Sequence, residues 1–152
     1  MSLIDRINND IKEAMRAKEK VKLEALRSVK SQILLAQTEK GAHENLTEDA
    51  EIKIVQKLVK QRKDAAEIYK TQNRDDLYQV EIQEAAFIEV YLPAQMNPEE
   101  IISAIKQIIS QTGATSIKDL GKVMGVASKQ LAGKAEGKFI ADQVKNLLNQ
   151  LT

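Results

Sequence analysis

Lysine and glycine carry most of the chemistry this sequence announces. Lys118, Lys122, Lys129, Lys134 and Lys138 are interleaved with Gly121, Gly125, Gly133 and Gly137 in the strings GKVMG and GKAEGK, and five of the chain's six glycines fall between Gly113 and Gly137. An ammonium group is a compact positive charge suited to a phosphate, and a glycine lets the backbone approach a neighbour more closely than any Cβ allows. Together they suggest contact with a phosphate-bearing polymer. The plainer reading of Gly121 and Gly125 is a small-xxx-small strip along which helices pack closely. A second basic set, Lys53, Lys57 and Lys60, recurs at four- and three-residue steps and would project three ammonium groups along about 10 Å of one helix side. Such a row either tracks a phosphate backbone or is a solvated face.

Other chemistries find little support. A phosphate-binding loop needs four residues between its glycines and then Lys with Ser or Thr after a strand. Here only three residues separate Gly133 and Gly137, and Phe139 follows Lys138. No glycine cluster opens the strand-helix unit of a dinucleotide site. His43 is the single histidine, in a polar loop with no second histidine or cysteine to share a metal. Ser28, Ser31, Ser103 and Ser128 lie in no nucleophile-elbow pattern. Glu81 and Glu84 stand one helical turn apart, a spacing that suits acid-base work but is equally common on solvated helices. The sequence therefore leads us to expect no catalytic group, no metal and no cofactor.

The elements that must position these residues are helical. Ser2 and Asp5 have capping-box spacing, and Leu3, Ile4, Ile7, Ile11, Ala14 and Met15 recur every three or four residues. In a second helix Leu23, Leu26, Lys30, Ile33, Leu34 and Gln37 share a face, with Gly41 as its left-handed stop. Thr47 caps a third, in which Ile52, Val55, Leu58, Val59, Ala65, Ala66 and Tyr69 face inward. A fourth runs through Leu77, Val80, Ala85, Ile88 and Leu92 until Pro93 ends it. Asn97, Pro98, Glu99 and Glu100 then form a strong helix start, whose stripe is Ile101, Ile102, Ile105, Ile108 and Ile109. Ser116 and Asp119 open another helix. The last begins near Lys138 and turns Phe139, Ile140, Val144, Leu147, Leu148 and Leu151 inward. The expected fold is all-α: an N-terminal four-helix bundle over residues 1–94 and a small three- or four-helix tail domain over residues 97–152.

Composition bounds the setting. A chain of 152 residues can bury a core without staples. With no cysteine and no apolar leader or span, the expectation is a soluble cytoplasmic chain that does not enter a membrane. Net charge is only +1, but it is segregated. Lys53 to Lys63 is basic without an acid, and Asp75 to Glu100 is acidic without a base. The aromatic residues (Tyr69, Tyr78, Phe87, Tyr91 and Phe139) fall mostly on inward stripes, so a platform that stacks unpaired bases is not expected. Lysine outnumbers arginine, which favours phosphate and shape contacts over reading of base edges.

LRSVKSQI (Leu26 to Ile33), VQKLVKQRKDAAEIY (Val55 to Tyr69), YLPAQMNPEE (Tyr91 to Glu100), KDLGKVMG (Lys118 to Gly125) and GKAEGK resemble the free-standing YqeY proteins. These are similar to the C-terminal part of GatB, a subunit of the glutamine-dependent tRNA amidotransferase. The resemblance covers nearly the whole chain. It implies a helical domain with a small tail that contacts tRNA, in an enzyme classed as a carbon-nitrogen ligase with glutamine as amido donor. The catalytic centre of that enzyme lies in another domain, so this chain is expected to be non-catalytic by itself. Lys122 and Lys134 fall in the blocks most like the tail. Expected partners are tRNA or structured RNA, with an amidotransferase or another protein as a possible companion. A protein-interaction adaptor using the acidic flank or the apolar helix faces is the alternative, and an enzyme in its own right comes third.

Overall fold

Three of the helices begin where a side chain accepts a hydrogen bond from one of the first free backbone N–H groups. The computed structural model describes residues 2–39, 41 and 46–151. Over these the protein is all-α, without a strand: α1 (Leu3–Ala17), α2 (Lys20–Glu39), α3 (Glu48–Thr71), α4 (Asp75–Glu89), α5 (Pro98–Thr112), a 3-10 turn (Ile117–Asp119), α6 (Leu120–Gln130) and α7 (Gly137–Asn149). Ser2 Oγ accepts from the Asp5 N–H at 3.2 Å, and the Asp5 carboxylate accepts in return from Ser2. Thr47 Oγ1 accepts from Ala50 and Asn97 Oδ1 from Glu100. Gly113, at φ 70°, ends α5 in the left-handed conformation that favours glycine. His43 lies outside the described residues.

The chain forms two compact units, Met1–Leu92 and Pro93–Thr152. In the first, α3 and α4 pack along each other across a tight turn in which Asn73 takes φ 57°. Helix α2 lies against both, and α1 lies against α2. The core is built on Ile7, Leu26, Val29, Ile33, Val55 and Ile88. The inward face of α2 is turned from the expected one. Ala25 and Val29 are fully buried, whereas Leu34 is 45% exposed. Val80 of α4 is likewise outward, and buried Glu84 stands on the inward side. The reason is that α2 must bury a strip wide enough to meet three partners, and Ala25 and Val29 complete it with small side chains.

In the second unit α5, α6 and α7 enclose Ile105, Ile108, Val123, Ala127, Val144 and Leu148. The segment before α5 is tied in by backbone pairing. The Met96 N–H donates to the Lys134 carbonyl at 2.9 Å, and Gln95 Nε2 donates to the Gly133 carbonyl at 2.6 Å. Gly133 is itself buried at φ 75°, so a turn that only glycine adopts without strain holds this junction. Leu151, expected inward, is 51% exposed because α7 ends at Asn149. No helix among the described residues is long and apolar enough to cross a membrane.

Candidate nucleic-acid interface

Helix α6 sets the geometry of the tail surface. Val123, Ala127 and Leu131 turn into the core, and the opposite side presents Gly121, Gly125 and Ser128, all exposed. At 3.6 residues per turn these three fall within about 60° of one another, and Lys129 and Lys122 come next round the helix. The outer face is thus a strip of bare backbone edged by two ammonium groups. A Cβ built on Gly121 or Gly125 would meet nothing within 4 Å. Close packing of helices within the chain is therefore not their role, and that expectation is corrected: their four-residue spacing lies on the side away from the core. Gly137, first in α7, is equally open, and of the GKAEGK glycines only Gly133 has a structural reason in its backbone.

Lys118 sits in the 3-10 turn, Lys122 and Lys129 on α6, Lys134 in the turn before α7, and Lys138 in the first turn of α7. All five are exposed, and none has a carboxylate within ion-pair distance among the described residues. The acid that follows Lys118 in sequence is already committed. Asp119 Oδ2 accepts from the Thr115 N–H at 2.8 Å and the Ser116 N–H at 3.3 Å. Those two backbone donors, with a smaller contribution from Lys122, hold its carboxyl below the usual carboxylate range. Its charge serves the turn, and the ammonium groups beside it stay available.

The row Lys53, Lys57 and Lys60 belongs to the other unit, on the exposed side of α3. Lys53 and Lys57 have no ion pair among the described residues, whereas Lys60 is not free. Much of the acidic segment that follows is matched internally. Arg62 Nε lies 2.7 Å from Glu84 and 3.9 Å from Glu81, Lys63 pairs with Glu89 at 3.4 Å, and Arg74 with Asp76 at 3.1 Å. These pairs reduce the acidic flank an adaptor would use. Burial raises the Glu84 carboxyl above its ordinary value, against the opposing pull of Arg62. The Arg62 cluster was hidden in the sequence, because cross-helix pairing depends on the register of α3 against α4. So was Tyr91, whose hydroxyl donates to the Asp10 carboxylate while Arg6 stands 5.3 Å from its ring centre. Among the described residues no group of acids and histidine is placed to hold a metal.

Comparison with known proteins fits this architecture. The chain is 30% identical over 132 residues to a protein of Clavispora lusitaniae named Altered inheritance of mitochondria protein 41, mitochondrial, covering 86% of this chain and 74% of that one. It is 33% identical over 129 residues to the protein of the same name in Meyerozyma guilliermondii, covering 80% and 66% respectively. Both are named as mitochondrial, which overturns the expectation of a cytoplasmic chain. A lack of cysteine rules out disulfides in any compartment and so selects none. The Yqey-like protein family matches residues 4–148, from the first turn of α1 to the last turn of α7, across every helix described above. With that span covered and the motif blocks in their order, the chain belongs to the YqeY family.

Proposed function

We propose that this chain binds tRNA or another structured RNA through its tail unit, without catalysis of its own. The observation that carries the reading is the set of five exposed lysines with no ion pair among the described residues, two of which edge the bare strip of α6. A backbone strip without side chains lets a sugar-phosphate chain lie close, and unpaired ammonium groups replace the counterions it releases. Arginine forks and exposed aromatics are sparse there, so affinity would come from phosphate and shape rather than from base edges. Membership of a family also found at the C-terminus of GatB supports a tRNA ligand and a role beside amide-transfer chemistry.

The test is a titration of bulk tRNA and of a duplex DNA of matched length at two salt concentrations. The reading expects a preference for tRNA and a log affinity that falls as log salt rises. A variant with Lys118, Lys122, Lys134 and Lys138 replaced by alanine should lose most of the affinity while keeping its helicity. Unchanged affinity would remove this surface from consideration, and no binding even at low salt would favour a protein partner. Glutaminase or transamidation turnover by the chain alone would overturn the non-catalytic reading.

A further inference from the structure

Helices α2, α3 and α4 border a crevice of about 340 Å³ lined by Glu24, Arg27, Ser28, Arg62 and Glu84, at the small end of the range that seats small molecules. Its floor is an ion pair between helices. Arg62 Nε lies 2.7 Å from Glu84, which is 9% exposed, and Glu81 lies behind it. A guanidinium flanked by two carboxylates has its charge answered. The rim is different. Glu24, Arg27 and Ser28 share one side of α2 at spacings of three and four residues, where acid and base commonly close on each other. Yet Glu24 and Arg27 are exposed, and neither has an ion-pair partner among the described residues. Ser28 Oγ donates to the Ala25 carbonyl at 2.7 Å, so its lone pairs are left to accept.

We infer that this crevice binds a small zwitterion of the α-amino acid class, with its carboxylate on Arg27 and its ammonium on Glu24, Ser28 and Glu84. A rim with one unanswered charge of each sign, above a floor in which one guanidinium stands between two carboxylates and leaves a negative excess for an ammonium, matches a ligand carrying both signs a few bonds apart. An amine alone would leave Arg27 without a partner, and a carboxylate alone would face Glu24 and Glu84. The upward shift of the Glu84 carboxyl, caused first by burial and then opposed by Arg62, fits a site where added positive charge is welcome. The assignment is independent of the tail surface.

The experiment is a backbone-amide NMR titration of the full chain with L-alanine, L-leucine and L-lysine, set against ethylamine and propionate. At least one amino acid should give saturable shifts in α2, α3 and α4, while ethylamine and propionate bind at least about tenfold more weakly. Arg27→Ala and Glu24→Gln alter exposed positions outside the core, and each should weaken that binding about tenfold. The proposal is overturned if no amino acid gives saturable shifts up to about 10 mM. Equal binding of ethylamine or propionate, or unchanged affinity in both variants, overturns it as well.

Discussion

A glycine inside a helix costs about 0.8–1 kcal/mol relative to alanine, and α6 carries that cost at both Gly121 and Gly125. Among the described residues nothing lies within 4 Å of a Cβ at either position to explain them. Alanine should therefore raise stability by about 1 kcal/mol at Gly125 in mid-helix and by less at Gly121 in the first turn, read in denaturant unfolding, since the new methyl meets no neighbour. The double variant should at the same time weaken tRNA binding. Greater stability with unchanged RNA affinity would show that the bare strip touches no RNA. Gly133 should behave oppositely. Its φ of 75° makes Gly133→Ala destabilising by about 1–2 kcal/mol, measurable by the same unfolding experiment. The sequence held the means to separate these cases. Val123, Ala127 and Leu131 mark the inward side of α6, and Gly125 lies about 160° from Val123. Spacing between the glycines alone did not reveal which side they occupy, and the left-handed turn at Gly133 arises from a junction with Gln95 and Met96 that lies far off in sequence.

Helix starts were legible because each cap is a local event. Ser2, Thr47, Asn97 and Ser116 each accept from a backbone N–H two or three residues on, as their spacing announced. Helix faces were less so where a helix meets several partners, as Leu34 and Val80 show. Pairings across helices, Arg62 with Glu84 and Tyr91 with Asp10, were not legible at all. Local and cross-helix contacts make separate predictions. Asn97→Ala should cost about 1 kcal/mol, read from thermal unfolding. Tyr91→Phe should cost about 1 kcal/mol or more, because it leaves the Asp10 carboxylate without its donor. Acidity separates the two carboxyls. Asp119 is held below its ordinary 3.8, so its contribution is present above that value and lost as pH falls through its folded value. Glu84 is raised above 4.5, so its contribution is full below 4.5 and fades as pH rises through its folded value. The stability gap between the parent chain and Glu84→Gln should accordingly narrow with rising pH over that window, and the gap to Asp119→Asn should shrink on acidification below 3.8. Thermal unfolding across pH, with the slopes reversed, would contradict both assignments.

At the scale of the molecule, a net charge of +1 gives no long-range attraction for a polyanion, so any affinity must come from local sets of lysines. Two such sets exist in different units, the tail lysines and the α3 row. Both were visible in the sequence as charge segregation, but their state of pairing was not, since it depends on where Asp119 and the acids of α4 place their oxygens. The sets can be told apart by salt. Each lysine that neutralises a phosphate contributes about 0.7–0.9 to the slope of log affinity against log salt. Removing Lys118, Lys122, Lys134 and Lys138 should flatten that slope by up to about 3, whereas Lys53→Ala with Lys57→Ala should leave it unchanged if the tail alone meets the RNA. A flattening confined to the α3 variant would transfer the interface to the first unit. Partial flattening in both would mean that one RNA engages lysines of the two units together.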